Sequence, residues 1–392
     1  MDTSFISQPG LISTGEKITG HCADMMQLAL ELAHSSIGLS EPNPRVGCVI
    51  VSAEGALLGQ GHTQRAGEAH AEIAALQDAQ ARGADVRGAT VYVTLEPCCH
   101  HGRTGPCCEA LIAAGIGKVV ASIADPNPLV GGEGFARLRQ AGVAVEIGPG
   151  AEQSRELNIG FFSRMLRKTP WVRLKAAASL DGKTALANGT SQWITSPAAR
   201  ADGHRWRARA SCVLTGIGTV LQDQPRLDVR LVETARQPDL VVVDSALQTP
   251  LDAPLFIKGR RLFIYCAHPE PSKRVALEQR GATVIDLPGR RNDAKSTGKV
   301  DLGAMLQDLA TREMNEVHLE AGHKLNGSFV REGLVDELLL YLAPKLLGLG
   351  SDIASFGPID QLEQAIPMDI LSTTMVGPDL RVLARLQGRG LF

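Results

Sequence analysis

The arrangement that most constrains this fold is His70-Ala71-Glu72, followed by Pro97-Cys98 and then Cys107. Three metal-type ligands scattered along the chain must meet at one point, with a carboxylate beside them. A structural zinc is closed by four protein ligands, whereas a catalytic zinc keeps one position for water. Three ligands and one spare carboxylate therefore imply zinc-assisted hydrolysis. His70 would give a ring nitrogen, and Cys98 and Cys107 two thiolates that balance the charge of Zn²⁺. Zinc lowers the pKa of a bound water from about 15.7 to about 7. Glu72 is too near His70 along the chain to fold comfortably onto the same ion. It is placed instead to take the water's proton and hand it to a leaving amine.

The order H-x-E … P-C … C is that of zinc deaminases acting on nucleobase rings. Here the second cysteine comes nine positions after the first, not three as in the common P-C-x-x-C form. Cys99, His100, His101 and Cys108 crowd the same segment as spare ligands. Spacing alone leaves Cys107 and Cys108 as alternatives for the third ligand. The bland reading is a closed structural zinc in a binding protein without catalysis, with Cys108 or His101 as fourth ligand. The joint occurrence of H-x-E and P-C in this order favours the catalytic site.

A chain of 392 residues accommodates two or three domains. Its 44% hydrophobic and 21% charged residues are those of an ordinary globular protein, and a net charge of −2 provides no polynucleotide-binding surface. The stretch from Arg290 to Lys299 mixes basic residues with Asn, Asp, Ser and Gly, and reads as a solvated loop. Four of the eight cysteines fall within eleven positions, which suggests metal in a reducing compartment rather than a disulfide framework. No apolar run approaches the ~20 residues of a membrane span. Residues 1–20 lack a signal-peptide layout and read as a disordered extension. The cytoplasm is the expected location, with no membrane and no nucleic acid as partner.

Periodicity divides the rest into two α/β halves. In the first, helices are expected at Cys22 to Ala33, His70 to Ala81, Cys107 to Ala114 and Phe135 to Ala141. Strands are expected at Val46 to Val51 (hairpinned to Ala56 to Gly59), Thr90 to Leu95, Val119 to Ile123 and Val143 to Ile147. His70 and Glu72 then open one helix, while Cys98 and Cys107 lie on the loop before another and at its start. Helix N-termini favour thiolate charge. Glu152 to Leu166 reads as one connecting helix, and Thr169-Pro170 as the boundary. The resulting domains are 21–168 and 169–392.

In the second half, Ser196 as N-cap and Pro197 at the first position start a helix to Arg209. Strands are expected at Trp171 to Ala177, Cys212 to Thr215, Leu240 to Asp244, Leu262 to Tyr265, Thr283 to Asp286, Val317 to Glu320, Glu337 to Leu342 and Leu380 to Leu386. Thr215-Gly216-Ile217-Gly218-Thr219 and Glu320-Ala321-Gly322 with Gly327-Ser328 are strand-exit turns that let backbone approach a phosphate. No G-x-G-x-x-G occurs, so a standard dinucleotide fingerprint is rejected. Gly182-Lys183-Thr184 is not a P-loop, because Ala177 stands where its first glycine is required. Lys175 and Asp181 read as strand-end polarity, and Trp193 and Trp206 as packing residues.

The chain resembles the bifunctional riboflavin-biosynthesis deaminase/reductase family from about Asp24 to the C-terminus. In the first half the resemblance rests on Pro42 to Gly47, Gly67 to Glu72, Thr94 to Cys98 through His100 to Cys107, and Asp125 to Pro128. In the second it rests on Ser179 to Lys183, Gln192 to Ser196, Gly216 to Val220, Leu319 to Gly322 and Ala343 to Leu346. It implies a cytidine-deaminase-like three-layer α/β domain followed by a dihydrofolate-reductase-like α/β domain. It also implies two steps on a phosphorylated pyrimidine: zinc-dependent removal of an exocyclic amine, then NADPH-dependent reduction of ribosyl to ribityl. By resemblance, His70, Cys98 and Cys107 are zinc ligands and Glu72 the proton carrier. Asn43, His62, His100 and Arg103 face the first substrate, Arg103 suiting its phosphate. Lys175, Ser191, Arg207, Leu227, Arg230 and Glu320 face the second. Ala177, Trp193, Thr219, Asp223, Ser245 and the loop of Gly322, His323, Lys324, Leu325, Asn326, Gly327 and Ser328 face the nicotinamide cofactor. Lys175, Asp181 and Glu320 are the candidates for the acid that assists hydride transfer. A homo-oligomer is expected. The competing enzyme reading is a deaminase of another nucleobase-type substrate whose second domain is not a reductase.

Overall fold

The computed structural model describes residues 22–100, 105–128, 130–290 and 296–392. The expected extension 1–20, together with His101 and Arg103, lies outside the described residues. The chain divides between Arg167 and Lys168 into two compact units.

The first unit runs α1 (Cys22–His34), β1 (Gly47–Val51), β2 (Leu57–His62), α2 (Ala71–Ala81), β3 (Thr90–Val93), α3 (Cys107–Ala113), β4 (Lys118–Ala121), α4 (Glu133–Gln140), β5 (Ala144–Ile147), α5 (Ala151–Leu157) and α6 (Ile159–Arg167). Its five strands lie in the order β2-β1-β3-β4-β5. The β1–β2 and β1–β3 pairs are antiparallel, and β3–β4 and β4–β5 parallel. Every residue of β1 is buried, so the strand reads as an unbroken apolar run rather than an alternation. Met25, Met26, Ala29 and Leu30 of α1 cover one face of the sheet, against Val49, Val51 and Val120. Ala71 and Ala75 of α2, Leu111 of α3, and Phe135 and Leu138 of α4 share the core on the other, with Cys48, Ile50, Val91 and Val93. The result is a three-layer α/β/α sandwich. Helix α2 sits so close to β2 that a Cβ on Gly61 would stand 2.6 Å from the Ala75 nitrogen.

The single connecting helix expected from Glu152 to Leu166 is two helices, α5 and α6, joined at Asn158. The Asn158 Oδ1 accepts the Arg45 backbone N–H at 2.7 Å, and its Nδ2 donates to the Arg45 carbonyl at 2.9 Å. This two-way clamp on a distant backbone fixes the joint, at a residue type that competes with helical bonding.

The second unit runs β6 (Trp171–Ser179), β7 (Lys183–Leu186), α7 (Pro197–Arg209), β8 (Cys212–Gly216), α8 (Ile217–Asp223), β9 (Asp239–Val243), β10 (Leu262–Cys266), α9 (Pro271–Gln279), β11 (Ala282–Asp286), β12 (Pro288–Arg290), β13 (Ser296–Val300), α10 (Leu302–Thr311), β14 (Glu316–Leu319), α11 (His323–Arg331), β15 (Glu337–Ala343), β16 (Gly350–Asp352), a short 3-10 turn (Leu362–Gln364), β17 (Met368–Val376) and β18 (Asp379–Leu386). Nine strands form one sheet in the order β11-β10-β9-β8-β14-β6-β15-β18-β17. It is parallel from β11 to β15, and β18 and β17 close it antiparallel. Met305, Leu306 and Leu309 of α10 and Phe329 of α11 pack against Val172, Leu174, Val317 and Leu319 on one face. Helix α7 crosses β14 on the other. Its start follows the sequence signal: Ser196 Oγ accepts the Ala199 N–H at 3.3 Å, with Pro197 at the first position.

Two sequence expectations are corrected here. Of the segment from Arg290 to Lys299 read as a solvated loop, Arg290 ends β12 and Ser296 to Lys299 lie in its partner β13, while 291–295 lie outside the described residues. The glycine segment from Gly322 to Ser328 is not a loop: Gly322 caps α11, and the remaining residues form its first turns. Strand β17, unread from sequence, is one of the two edge strands of this sheet, and Ile370 and Met375 on it are exposed. No helix among the described residues is long and apolar enough to cross a membrane.

Candidate active sites

The metal-type ligands converge where β3 gives way to the loop leading into α3. His70 is the extended N-cap of α2, one residue ahead of the helix, and Cys107 is the first residue of α3. The His70 Nδ1 lies 3.6 Å from Cys98 Sγ and 3.4 Å from Cys107 Sγ, and the three ligand atoms lie within 4.8 Å of one another. A tetrahedral zinc with ordinary bond lengths would place its nitrogen and sulfur ligands ~3.5 Å apart. The donor set and its spacing thus fit zinc. The Cys107 backbone N–H at the helix start donates to Cys98 Sγ at 3.4 Å. The Cys107 thiol, then His70 and that N–H, favour a thiolate at Cys98 and push it down. The contact with Cys98 and burial push Cys107 up. A divalent cation between them would hold both as thiolates. Cys108 is buried outside this cluster, and burial pushes its thiol up to about 12.

Glu72 lies in the first turn of α2 with 4% of its surface exposed. Burial, and then the negative charge of Cys98, raise its carboxyl to about 7. A carboxyl that titrates near neutrality can both accept and release a proton. His62, at the end of β2, contacts Ser36 Oγ and Gln64 Nε2, each 3.3 Å from its Nδ1, and burial holds its pKa down. Asn43 is half-buried in the turn before β1, where its N–H donates to the Ser40 carbonyl. His100 is exposed in the loop after Cys98.

Sequence reasoning missed Glu96. This buried carboxylate accepts the backbone N–H groups of Asp125 (3.0 Å), Gly132 (2.9 Å), Gly134 (2.9 Å) and Phe135 (3.3 Å). It ties Asp125 and the stretch from Gly132 to Phe135 to the loop that carries Cys98. Its acceptor role has no sequence signature, because its partners are main-chain groups far along the chain.

The second unit holds a cleft of about 870 Å³, within the usual range for small-molecule sites. Of the residues expected there, Lys175, Ala177, Ser191, Trp193, Arg207, Thr219, Asp223, Leu227, Arg230, Glu320, Gly322, His323 and Asn326 line it. Ser245, Lys324, Leu325, Gly327 and Ser328 do not. Leu325 instead packs on Gly216, where a Cβ would stand 3.0 Å from Leu325 Cδ2. Trp193 is 62% exposed in the cleft wall, with the Arg200 guanidinium 4.5 Å from its ring, and is no packing residue. Trp206 packs under Arg173 at 4.6 Å.

Charge in the cleft centres on Glu320. Its carboxylate takes the Arg207 guanidinium through Nε on one oxygen and Nη2 (2.9 Å) on the other, with Lys175 Nζ at 3.4 Å. Arg207 and Lys175 hold its pKa well below the ordinary carboxylate value despite burial. Asp181 is spoken for elsewhere. It takes the Ser179 hydroxyl at 2.5 Å and the Leu347 and Gly348 N–H groups, which hold its carboxyl down at about 2. It does not line the cleft and carries no proton at neutral pH. Two further groups had no sequence signal. His204 accepts the Arg230 backbone N–H at 3.1 Å. Arg260 donates to the carbonyls of Leu227 (2.9 Å), Arg226 (3.0 Å) and Leu255 (2.7 Å), bracing Leu227 at a φ of +50°.

Comparison with known proteins matches both units. Residues 21–123 match the family of the cytidine and deoxycytidylate deaminase zinc-binding region, and residues 170–382 match the RibD C-terminal domain. The riboflavin biosynthesis protein RibD of Escherichia coli is 42% identical over 369 residues, covering 91% of this chain and 96% of that one. RibD of Acinetobacter baumannii superposes with a TM-score of 0.83 at 38% identity, over 93% of this chain and 98% of that one. A diaminohydroxyphosphoribosylaminopyrimidine deaminase/5-amino-6-(5-phosphoribosylamino)uracil reductase from Thermotoga maritima gives 0.80 at 31% identity, over 93% and 98%. The first unit is thus cytidine-deaminase-like and the second a dihydrofolate-reductase-like reductase domain. With a zinc-type His/Cys/Cys cluster in one unit and a charged cleft in the other, this chain belongs to the RibD family, the bifunctional deaminase/reductases of riboflavin biosynthesis.

Proposed function

We propose that the first unit deaminates 2,5-diamino-6-(5-phosphoribosylamino)pyrimidin-4(3H)-one by hydrolysis. The second unit then reduces the product with NADPH to 5-amino-6-(5-phosphoribitylamino)uracil. The two activities for which the Thermotoga maritima relative is named support this pair of substrates. The observation that carries the deaminase step is the buried Glu72 beside a three-ligand cluster that suits zinc. Zinc held by His70, Cys98 and Cys107 supplies the charge that acidifies a water. Glu72 takes the water's proton as its oxygen bonds to the ring carbon, and returns it to the exocyclic nitrogen, which leaves as ammonia. Asn43, His62 and His100 orient the pyrimidine, and Arg103 is assigned to its phosphate.

NADPH, when bound, would supply the hydride that C1′ gains as its bond to the ribosyl ring oxygen breaks, and that oxygen would take a proton from a group in the cleft wall. Lys175 is the proposed donor, because its Nζ lies in the cleft wall 3.4 Å from Glu320 Oε2. Ser191, Arg207, Leu227 and Arg230 hold the substrate. Ala177, Trp193, Thr219, Asp223 and the start of α11 hold the cofactor, its pyrophosphate suited to a helix N-terminus. We assign the chain to the cytoplasm and to a homo-oligomer, the exposed apolar side chains of the edge strand β17 supporting self-association.

The test is stepwise. Zinc-loaded protein is given the diaminopyrimidinone, ammonia is measured without cofactor, and NADPH oxidation is measured after its addition. Ammonia first and NADPH loss second is the expected result. Ammonia without NADPH loss would reject the second step, and bound zinc without ammonia would reject the first.

A further inference from the structure

His318 has no exposed surface, and none of the roles above uses it. It lies on β14 two residues from Glu316 and two from Glu320, so the three side chains share the α7 face of the sheet. Across the sheet it is in register with Arg173 on β6 and Val213 on β8. Arg173 is already engaged by Glu316 at 2.8 Å and Glu337 at 2.5 Å, and Glu316 also takes Arg209 at 2.9 Å. The charges on that side of His318 are therefore matched without it. On the other side its Nε2 stands 3.2 Å from Glu320 Oε1. The geometry there falls short of a hydrogen bond, so neither ring nitrogen has a hydrogen-bond partner among the described residues. A buried polar group is costly without a partner, so a small rotation that aims Nε2–H at Oε1 is favoured. Burial, and then the charges of Lys175 and Arg207, hold the ring's pKa down against the pull of Glu320. A neutral ring can donate one hydrogen bond there without adding a third cation.

We infer that His318 is a positioning residue of the reductase site: from behind the cleft wall it fixes the Glu320 carboxylate, and through it the Lys175 ammonium. The inference rests on the reading of the second unit as an NADPH-dependent reductase. The chain of contact is short: His318 Nε2 to Oε1 of Glu320, and Oε2 of Glu320 to Lys175 Nζ. Of these three, Glu320 and Lys175 line the cleft and His318 does not.

The test uses the full, zinc-loaded chain with the deaminated intermediate and NADPH. His318→Leu removes the donor. It should lower kcat of NADPH oxidation about tenfold, the scale of one hydrogen bond to a charged group. The KM for NADPH and the rate of ammonia release should not change. His318→Gln can carry an amide N–H to the same place and should restore kcat to within about threefold of the unsubstituted chain. A role in packing alone would instead lower thermal stability in both variants and leave kcat of the folded protein intact. Full kcat in His318→Leu, or a Gln variant as impaired as the Leu variant, overturns the inference. If the Leu variant does not fold, His318→Asn decides: its amide is too short to reach Oε1, and full kcat there overturns it equally. Absence of NADPH oxidation in the unsubstituted chain is a separate outcome that rejects the reductase reading itself and the inference with it.

Discussion

Glu96 receives the backbone N–H of Gly134 at 2.9 Å, at a point where helix α4 comes so near the Cys98 loop that a Cβ on Gly134 would stand 2.1 Å from the Pro97 carbonyl oxygen. No side chain can be added there without moving α4 away from the loop that presents a metal ligand. Gly134→Ala should therefore loosen Cys98. Zinc affinity, measured by chelator competition, is expected to fall about 10–100-fold, as when outer support of a ligand is lost. NADPH oxidation with the deaminated intermediate should not change.

Glu72→Ala should keep the fold and the zinc and lose ammonia release by at least ~10²-fold, the lower end for a general acid–base group. Zinc content by elemental analysis and ammonia by coupled assay check this. Retained turnover with bound zinc would instead favour a metal that serves structure only.

The two neighbouring cysteines should differ sharply. Cys107 faces His70 and Cys98, whereas Cys108 belongs to the apolar core. Cys107→Ala is expected to abolish zinc binding and deamination. Cys108→Ala should retain both and cost some thermal stability through the small cavity it leaves. Zinc stoichiometry of the two purified variants separates the cases.

His204 links pH to the stability of the second unit. Burial, and then Arg207 and Arg230, push its pKa from 6.5 down to about 4. Between those values the unfolded chain binds a proton that the folded chain refuses. Its contribution is therefore complete above pH 6.5, falls as pH drops towards 4, and is level below that. The loss is at most about 3 kcal/mol. His204→Asn keeps an acceptor for the Arg230 N–H but does not titrate, and should flatten this part of the profile in denaturant unfolding at pH 4.5 and 7.

Arg260 braces three carbonyls beneath the Leu227 to Arg230 segment without lining the cleft. Arg260→Ala should release that segment and raise the reductase KM for the phosphorylated substrate about tenfold or more, since misplacing a binding group by an ångström is costly. Ammonia release in the same preparation should match that of the unsubstituted chain.

The legible parts of this chain were those whose physics is local. Ser196-Pro197 announces α7 because the cap bond closes within one turn. His70-Ala71-Glu72 and Pro97-Cys98 announce a metal cluster because ligand chemistry restricts residue type. Asn158 was not legible, because an asparagine that splits a helix acts through a backbone 113 residues away. Glu96, His204 and Arg260 likewise work on distant main-chain groups that leave no motif. Strand β17 escaped because, as an edge strand with exposed or half-buried residues, it needs no regular apolar alternation. The start of α11 read as a loop because its glycines outweighed a helix whose support comes from packing, notably Asn326 donating to Ala321 and Ile353.

The alternation along β14 has a consequence for how the chain finds its fold. Glu316, His318 and Glu320 point one way, and Val317 and Leu319 the other, into the layer of Met305, Leu306 and Phe329. Sliding the strand by one residue would press two carboxylates and an imidazole into that apolar layer and turn Val317 and Leu319 towards Arg173. Both errors are severe, so mispairing of the central strand is penalised twice over. The side chains that shape the cleft wall also act as a key that admits one strand alignment and rejects its neighbours.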